Sequence, residues 1–256
     1  MRLDVYLSKS GLVKSRETAQ RLIKEGAVMI DGRAVKKASE QIDEACPPEI
    51  EVTDDLKYVS RGGLKLERAL DEFKLDVNGI DAVDIGASTG GFSDCLLQRG
   101  AASIRCVDVG RSQLAQKIAE DVRVKSYEGM NARYMTADDI GGKCGMVVCD
   151  VSFISLTLIV PTVRTILRDE GKFVALIKPQ FEAGRSALDK HGIVRDRNDH
   201  IKVIEKIIAF AAENSLLCEG LTVSPIEGGD GNREYLALFG CNGGFDAKSV
   251  AKTVFS

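Results

Sequence analysis

"VDIGASTGGF", residues 83–92, is a short apolar run that breaks into a turn carrying three glycines. The apolar part reads as a buried strand, and "GFSDCLLQRG", residues 91–100, opens a helix directly after it. Gly86 allows a tight turn, and Gly90 and Gly91 let a ligand approach the backbone. The spacing is not G-x-G-x-x-G, so a pyrophosphate cradle is not indicated. Further strand-like stretches lie around this unit: "SIRCVDV", "RVKSYEG", "GMVVCDVS" and "GKFVALIK". Helical patterns fall between several of them. "SLTLIVPTVRTILRDEG", residues 155–171, reads as one helix. "NDHIKVIEKIIAFAAENS" reads as another, with Ile201, Ile204, Ile207, Ile208 and Ala211 as its apolar residues. Strand–helix alternation over residues 61–256 predicts an α/β fold with a doubly wound, mainly parallel sheet. "LTVSPI" and "EYLALFG" follow each other closely near the end, which predicts a final antiparallel hairpin.

In parallel sheets ligands sit beyond the carboxyl ends of the strands. Asp84 stands just before the glycine turn, and Asp108 ends the next strand in "IRCVDVG". An acid at the second position suits the paired hydroxyls of a ribose, and the alternative is that Asp108 caps a turn. The non-dinucleotide spacing and the acid before the turn favour S-adenosylmethionine as cofactor. The candidate contacts are Asp84, Gly86, Ala87, Ser88, Thr89, Gly90, Gly91, Phe92, Asp108, Asn131 and Asp150. Asn131 follows the third strand, where adenine contacts arise, and Asp138 or Asp139 is a further candidate.

"FVALIKPQFE", residues 173–182, pushes the cation Lys178 out of the end of a buried strand. The neighbouring strand ends in Asp150, so both side chains emerge on the rim of the glycine turn. Lys65 lies in "SRGGLKLERAL", a helix ahead of the first strand, and Glu234 opens "EYLALF". Lys65, Asp150, Lys178 and Glu234 form a candidate lysine–aspartate–lysine–glutamate set; the alternative is a pair of salt bridges at the sheet edge. A free lysine, with pKa about 10.4, holds its proton at neutral pH. One that accepts a proton needs desolvation or a second cation nearby, against the pull of adjacent acids.

The start of the chain has another texture. Residues 1–38 carry nine basic residues against four acidic ones, a local +5 on a chain of net charge −3. Either a solvated charged helix or a phosphate-binding face would have this composition. Ser15 is placed to N-cap "RETAQRLIKEG", with Gly26 as the stop, and "AVMIDGRAV" reads as strand, Asp-Gly turn, strand. The pattern "SR-x-x-A-x-x-L-I-x-x-G-x-V-x-I-D-G", residues 15–32, resembles the S-four RNA-binding domain. That resemblance implies a basic helix face laid on structured RNA, with Lys14, Arg16, Lys24, Arg33 and Lys36 as candidate phosphate contacts. The expected layout is residues 1–57 as this domain, 58–61 as a linker and 62–256 as the catalytic domain.

Composition narrows the alternatives. Hydrophobic content of 44% and charged content of 29% fit a soluble globular protein. No apolar run reaches the roughly 18 residues of a membrane span, and the charged N-terminus does not read as a signal peptide. The expected location is therefore the cytoplasm. Seven scattered cysteines without a C-x-x-C pair read as reduced thiols, and two histidines are too few for a histidine metal cluster, so no metal is expected. Residues 178–200, with Arg185, Lys190, Arg195 and Arg197 after Pro179, read as a long mobile loop over the rim, able to clamp RNA. Phe153, Phe181 and Tyr235 are either core residues or stacking partners for a flipped nucleotide.

Taken in order, "SRGGLKLERAL", "DIGASTGGF", "VCDVSFISL", "LIKPQFE" and "GNREY" closely resemble the TlyA family. These are FtsJ-like ribosomal RNA 2′-O-methyltransferases with an N-terminal S-four domain, also known by the name hemolysin. The resemblance covers nearly the whole chain. It implies a Rossmann-like S-adenosylmethionine methyltransferase sheet whose last strand is antiparallel. It implies catalytic roles for Lys65, Asp150, Lys178 and Glu234, and ribosomal RNA or a ribosomal subunit, with cytidine the target, as partner. The family has a shorter form acting on the large-subunit RNA and a longer form acting on both, and the early start of the first helix favours the shorter. A pseudouridine synthase would need a different fold. A membrane-lytic protein would need a spanning or long basic amphipathic helix. Base methylation lacks its aromatic, proline-rich loop, in whose place stands "CDVS".

Overall fold

Two units make up the chain in this computed structural model, Met1–Arg61 and Gly62–Ser256. The structure describes residues 1–13, 15–24, 26–35, 37–52, 57–228, 231–245 and 248–255, excepting the side chains of Arg21, Lys24, Ala34 and Lys248. Lys14 and Lys36 lie outside the described residues, as does the side chain of Lys24.

In the first unit, helices α1 (Leu3–Lys9) and α2 (Arg16–Lys24) pack on a small sheet. Ser15 caps α2 by accepting the Thr18 N–H at 3.1 Å. Strands β1 (Val28–Ile30) and β2 (Arg33–Ala34) are joined by Asp31 and Gly32, whose φ values of 49° and 73° make the two-residue turn that twisted hairpins favour. Strand β3 (Ile50–Val52) pairs with the free edge of β1, giving the order β2-β1-β3. Leu3, Leu7, Leu22, Ile23 and Val28 form the core. Asp4 is fully buried among them and joins the helices: it accepts from Arg2 and Arg16 at 2.9 Å and from Gln20 at 2.7 Å. The Arg2 hydrogen bond, ahead of the others, holds its carboxyl well below the usual range.

The second unit is built on seven strands. Helix α3 (Gly62–Glu72) leads into β4 (Asp81–Ile85), α4 (Gly91–Gln98), β5 (Ser103–Asp108), α5 (Gln116–Ala119) and β6 (Val124–Glu128). Then come β7 (Cys144–Cys149), α6 (Val160–Ile166), β8 (Leu167–Ile177), α7 (Pro179–Glu182) and α8 (Arg197–Glu213). Strands β9 (Leu217–Val223) and β10 (Tyr235–Gly240) and helix α9 (Lys248–Phe255) close the unit. The sheet order is β6-β5-β4-β7-β8-β10-β9. Strands β6 to β8 are parallel, and β10 runs antiparallel to both β8 and β9. The chain winds outward from β4 through β5 and then returns to β7 on its other side, so β4 and β7 flank the crevice where open α/β sheets bind ligands.

Residues 155–171 are not one helix. A 3₁₀ turn at Leu156–Leu158 precedes α6, with Pro161 in its first turn, where a missing N–H is tolerated. At Leu167 the chain is already strand, paired with Cys144. Leu167 is buried, while Arg168 reaches Asp81 at 2.8 Å, so the helix gives way to ladder pairing and an ion pair. The stretch after α7 also differs from the loop expected. Leu188 and Val194 bridge antiparallel, and Asp189 accepts the N–H groups of His191 and Ile193 and the Arg195 Nε. The buried Asn232 fastens it from the other side, accepting from Val194 N and donating to Gly192 O. The seven cysteines are free thiols, and all but Cys46 and Cys241 are buried.

Candidate active site

The ends of β4, β7 and β8 and the start of β10 lie side by side, and each carries one polar feature. The glycine turn leaves β4. Gly86 has φ +82°, and a Cβ there would stand 2.5 Å from the Asp150 carbonyl oxygen, so only glycine lets the turn pass this close to the end of β7. The Asp150 N–H donates to Ile85 O at 3.0 Å, fastening the same two strand ends. Asp150 puts Oδ1 2.5 Å from Lys178 Nζ, an ion pair without hydrogen-bond alignment. The hydrogen bond of Lys178 goes to Ser152 Oγ at 2.9 Å. Ile177, just before Lys178, pairs with Tyr235, just after Glu234. Glu234 Oε2 accepts from Lys65 Nζ at 2.6 Å, and its Oε1 accepts from Gln180 Nε2 at 3.2 Å. Lys65, Lys178 and Glu234 are buried.

The four candidate residues thus stand as two ion pairs on adjoining strand ends. The pairing is Lys65 with Glu234 and Lys178 with Asp150, with Gln180 linking the second strand end to the first pair. Ser152, Gln180 and Glu182 were not singled out from the sequence, although all three sit inside quoted motifs. Glu182 is buried and accepts from Ser155 Oγ at 2.6 Å and Leu156 N at 2.7 Å. It ties the segment after Lys178 to the segment after Asp150. Burial pushes its carboxyl up, partly offset by these donors.

Around the turn, Asp108 accepts Ser88 N at 2.8 Å on one oxygen and Gly110 N at 2.7 Å on the other. The turn-capping alternative therefore describes its present contacts, and the remaining lone pairs are what a ribose could use. Ala87, Ser88, Asp108, Gly110, Gln113 and Leu114 line a cavity of about 10 Å³, narrowed by the Gln113 side chain over Gly110. Thr89 O accepts Ala115 N, Gly90 stands at the N-cap of α4, and Phe92 is buried. Asn131 is exposed and accepts Arg133 N, and Asp139 accepts from Thr136, so both serve local turns. Tyr235 is core, not a stacking surface: it is fully buried and its hydroxyl meets His200 Nδ1 at 3.0 Å. In the first unit Arg16 pairs with Asp4 and Arg33 with Glu40, so the two candidate phosphate contacts whose side chains are described each hold a carboxylate.

Asp84 lies beneath the turn, fully buried, accepting from Ser93 Oγ at 2.6 Å while its Oδ1 has no hydrogen-bond partner. Burial, with repulsion from Asp150 and Asp108, pushes its carboxyl up to about 7 against the Ser93 bond. Between the ordinary carboxylate value and that point, the folded protein keeps a proton that the unfolded chain has released. Stability therefore falls as pH rises through this window, by about 1.4 kcal/mol per unit. Between pH 5 and 7 this amounts to about 3 kcal/mol from Asp84, and Asp84→Asn is expected to remove it. Urea unfolding of both proteins at the two pH values measures the difference; identical pH dependence would refute the assignment.

An open sheet with this strand order, an antiparallel strand inserted at β10 and a glycine turn at the point of reversal is a Rossmann-like S-adenosylmethionine-dependent methyltransferase sheet. The sequence comparisons agree. Residues 58–241 match the FtsJ-like methyltransferase family and residues 1–45 match the S4 domain. The chain belongs to the FtsJ-like methyltransferase family and carries an S4 domain at its N-terminus. It is 49% identical to the Bacillus subtilis protein YqxC, provisionally named an rRNA methyltransferase, over 92% of this chain and 84% of that one. It is 38% identical to the 16S/23S rRNA (cytidine-2′-O)-methyltransferase TlyA of Mycobacterium tuberculosis, over 91% of this chain and 87% of that one. A solved structure from Streptococcus thermophilus that carries a hemolysin name shares 44% identity and superposes with a TM-score of 0.79, covering 100% of this chain and 94% of that one. No helix among the described residues is long and apolar enough to cross a membrane.

Proposed function

We propose that the protein transfers a methyl group from S-adenosylmethionine to the 2′-hydroxyl of a ribose, that of a cytidine in ribosomal RNA. The observation that supports this reading is that Asp150, paired with Lys178, ends the strand beside the glycine turn, with the Lys65–Glu234 pair at the start of β10, the strand next to β8. The chemistry of that turn fits the cofactor: a close backbone approach at Gly86, acids at Asp84 and Asp108, and a buried acceptor atom, Asp84 Oδ1, without a hydrogen bond. Asp84, residues 86–92, Asp108, Asn131 and Asp150 would hold it. When bound it supplies a methyl group on a positively charged sulfur, which needs no metal to activate it.

The protein's own work concerns the hydroxyl. Lys178 Nζ, held by Asp150 and Ser152, takes or polarises the 2′-OH proton. Lys65, held by Glu234, positions the ribose or its phosphate, and Gln180 steadies Glu234. Holding two reactants in line contributes up to about 7–11 kcal/mol of barrier lowering. The S4 domain, with Arg16, Arg33 and the lysines Lys14, Lys24 and Lys36, supplies phosphate contacts, and residues 58–61 serve as the link between the domains. The cytoplasm, where ribosomal RNA is modified, is the corresponding location.

Phe153 gives a local test of RNA presentation. It is 91% exposed, has φ +64° and lies against Phe181 with the rings tilted by 48° and their centroids 4.9 Å apart. A bulky residue held in the left-handed region costs about 1–3 kcal/mol, and such strain gathers at functional sites. We read the ring as a platform for the base of the target nucleotide. Base stacking is worth about 1–3 kcal/mol, so Phe153→Gly is expected to lower kcat/KM for RNA about 10-fold or more while raising stability. Unchanged kcat/KM would remove Phe153 from the site.

The direct test of function is to incubate the protein with labelled S-adenosylmethionine and each ribosomal subunit, then map methylated riboses. Label on one or more cytidine 2′-oxygens supports the reading. Label confined to bases, or none on either subunit, overturns it.

A further inference from the structure

Glu234 turns its carboxylate toward Lys65, but its two neighbours serve a different place. Arg233 and Tyr235 line a cavity of about 190 Å³ together with Val194, Arg195, Arg197 and His200, at the start of α8. Small-molecule sites run to roughly 300–1,000 Å³, so this one has room for a phosphate group and not for a nucleoside.

Its walls are cationic. Three guanidinium groups line it, and no carboxylate does so among the described residues. Arg195 is tied through Nε to Asp189 at 2.7 Å, which fixes the side chain and leaves its terminal nitrogens available. The Arg197 guanidinium rests 5.0 Å from the centroid of the Phe255 ring, and that of Arg233 rests 6.0 Å from the Tyr235 ring. Both are held by ring faces, which orient a cation without occupying its N–H donors. Arg233 Nε is buried and has no hydrogen-bond partner. Arginine cannot shed its proton, so this donor stays unsatisfied until an acceptor enters. The His200 ring is fixed from both sides, with Nε2 2.8 Å from Val194 O and Nδ1 3.0 Å from the Tyr235 hydroxyl.

Neighbouring Cα atoms are about 3.8 Å apart, so Arg233 stands one residue step from an acid of the proposed catalytic rim. We propose that this pocket grips a backbone phosphate of the RNA strand that delivers the target ribose. Guanidinium forks match phosphate oxygens in geometry and charge. The proposal rests on the RNA reading above and adds a positioning contact outside the S4 domain.

The experiment uses the full chain and a ribosomal RNA fragment. Binding of wild type, Arg233→Gln, Arg233→Lys and Arg195→Gln is measured over a potassium chloride series, with thermal melting to verify folding. Removing one phosphate contact is expected to lower the salt slope by about one and to weaken binding about tenfold near 0.1 M salt. Arg233→Lys is expected to fall in between. The dissociation constant for S-adenosylmethionine is expected to stay put. Should Arg233→Gln fail to melt cooperatively, Arg195→Gln, changed at a side chain 67% exposed, carries the test. In a second arm, inorganic phosphate is titrated against melting temperature at matched ionic strength. Folded variants that keep the wild-type slope and affinity overturn the proposal. So does a phosphate-dependent melting shift lost in the variants while RNA binding is unchanged, which would mark a site for a free anion. A wild-type protein that binds no RNA defeats the RNA reading itself, a different failure that takes this proposal with it.

Discussion

Replacing Lys178 with alanine is expected to lower the methylation rate by about 10²–10⁴-fold, the range that a positioned proton-transfer group contributes. The lysine is buried at the end of β8, with Asp150 at 2.5 Å and Ser152 at 2.9 Å fixing its nitrogen. A group so confined has few ways to act except on what is brought to it. Two variants separate the possible actions. Alanine removes charge, donor and base together. Arginine keeps the charge but cannot give up a proton. If Lys178 takes the 2′-OH proton, Lys178→Arg is as slow as Lys178→Ala; if it only stabilises charge, arginine recovers much of the rate. Single-turnover methylation with saturating RNA and cofactor measures this. A Lys178→Ala protein that methylates RNA at close to the wild-type rate would remove the lysine from the chemistry altogether.

Much of the frame behind this prediction is legible in the residues. The glycine turn after "VDI" needs close backbone passage, and the Asp150 carbonyl beside Gly86 is the reason for it. The Asp31–Gly32 pair specifies a two-residue hairpin because both positions need positive φ. Lys178 could be placed on the rim because a proline follows it and a cation does not stay inside a strand. The misreadings have physical causes as well. "SLTLIVPTVRTILRDEG" has apolar residues at spacings that suit helix or strand, and only the partner strand decides that Leu167 belongs to β8. Asp108 offers the same carboxylate to a turn or to a ribose, and its sequence context is identical in both cases. Which acid pairs with which lysine depends on side-chain direction across strands far apart in the chain. Spacing therefore shows that the quartet shares a rim, but not that Glu234 holds Lys65. Glu182 was missed for a related reason: its partners, Ser155 and Leu156, lie 26–27 residues earlier, and a lone acid after a proline carries no pattern.

The Lys65–Glu234 pair separates structure from chemistry most sharply. Both side chains are nearly out of solvent, 10% and 2% exposed, and they meet at 2.6 Å. Removing one partner of such a pair leaves a buried charge, at a cost of about 3–5 kcal/mol. Lys65→Met is therefore expected to destabilise the second unit by that amount, since among the described residues only Gln180 remains to donate to Glu234. Pairing the change with Glu234→Gln removes the orphaned charge, and replacing both members of a buried pair by neutral groups is often close to neutral. The double variant should recover most of the lost stability in urea unfolding. Its methylation rate should not recover, because neither the cation that meets the ribose nor its carboxylate holder is present. Stability restored without activity assigns the pair to the reaction. If both return together, the pair is a structural tie between α3 and the start of β10, and the quartet shrinks to Lys178 and Asp150. Coupling energies from the four-protein cycle make the distinction quantitative, since contacting residues depart from additivity by about 0.5–3 kcal/mol.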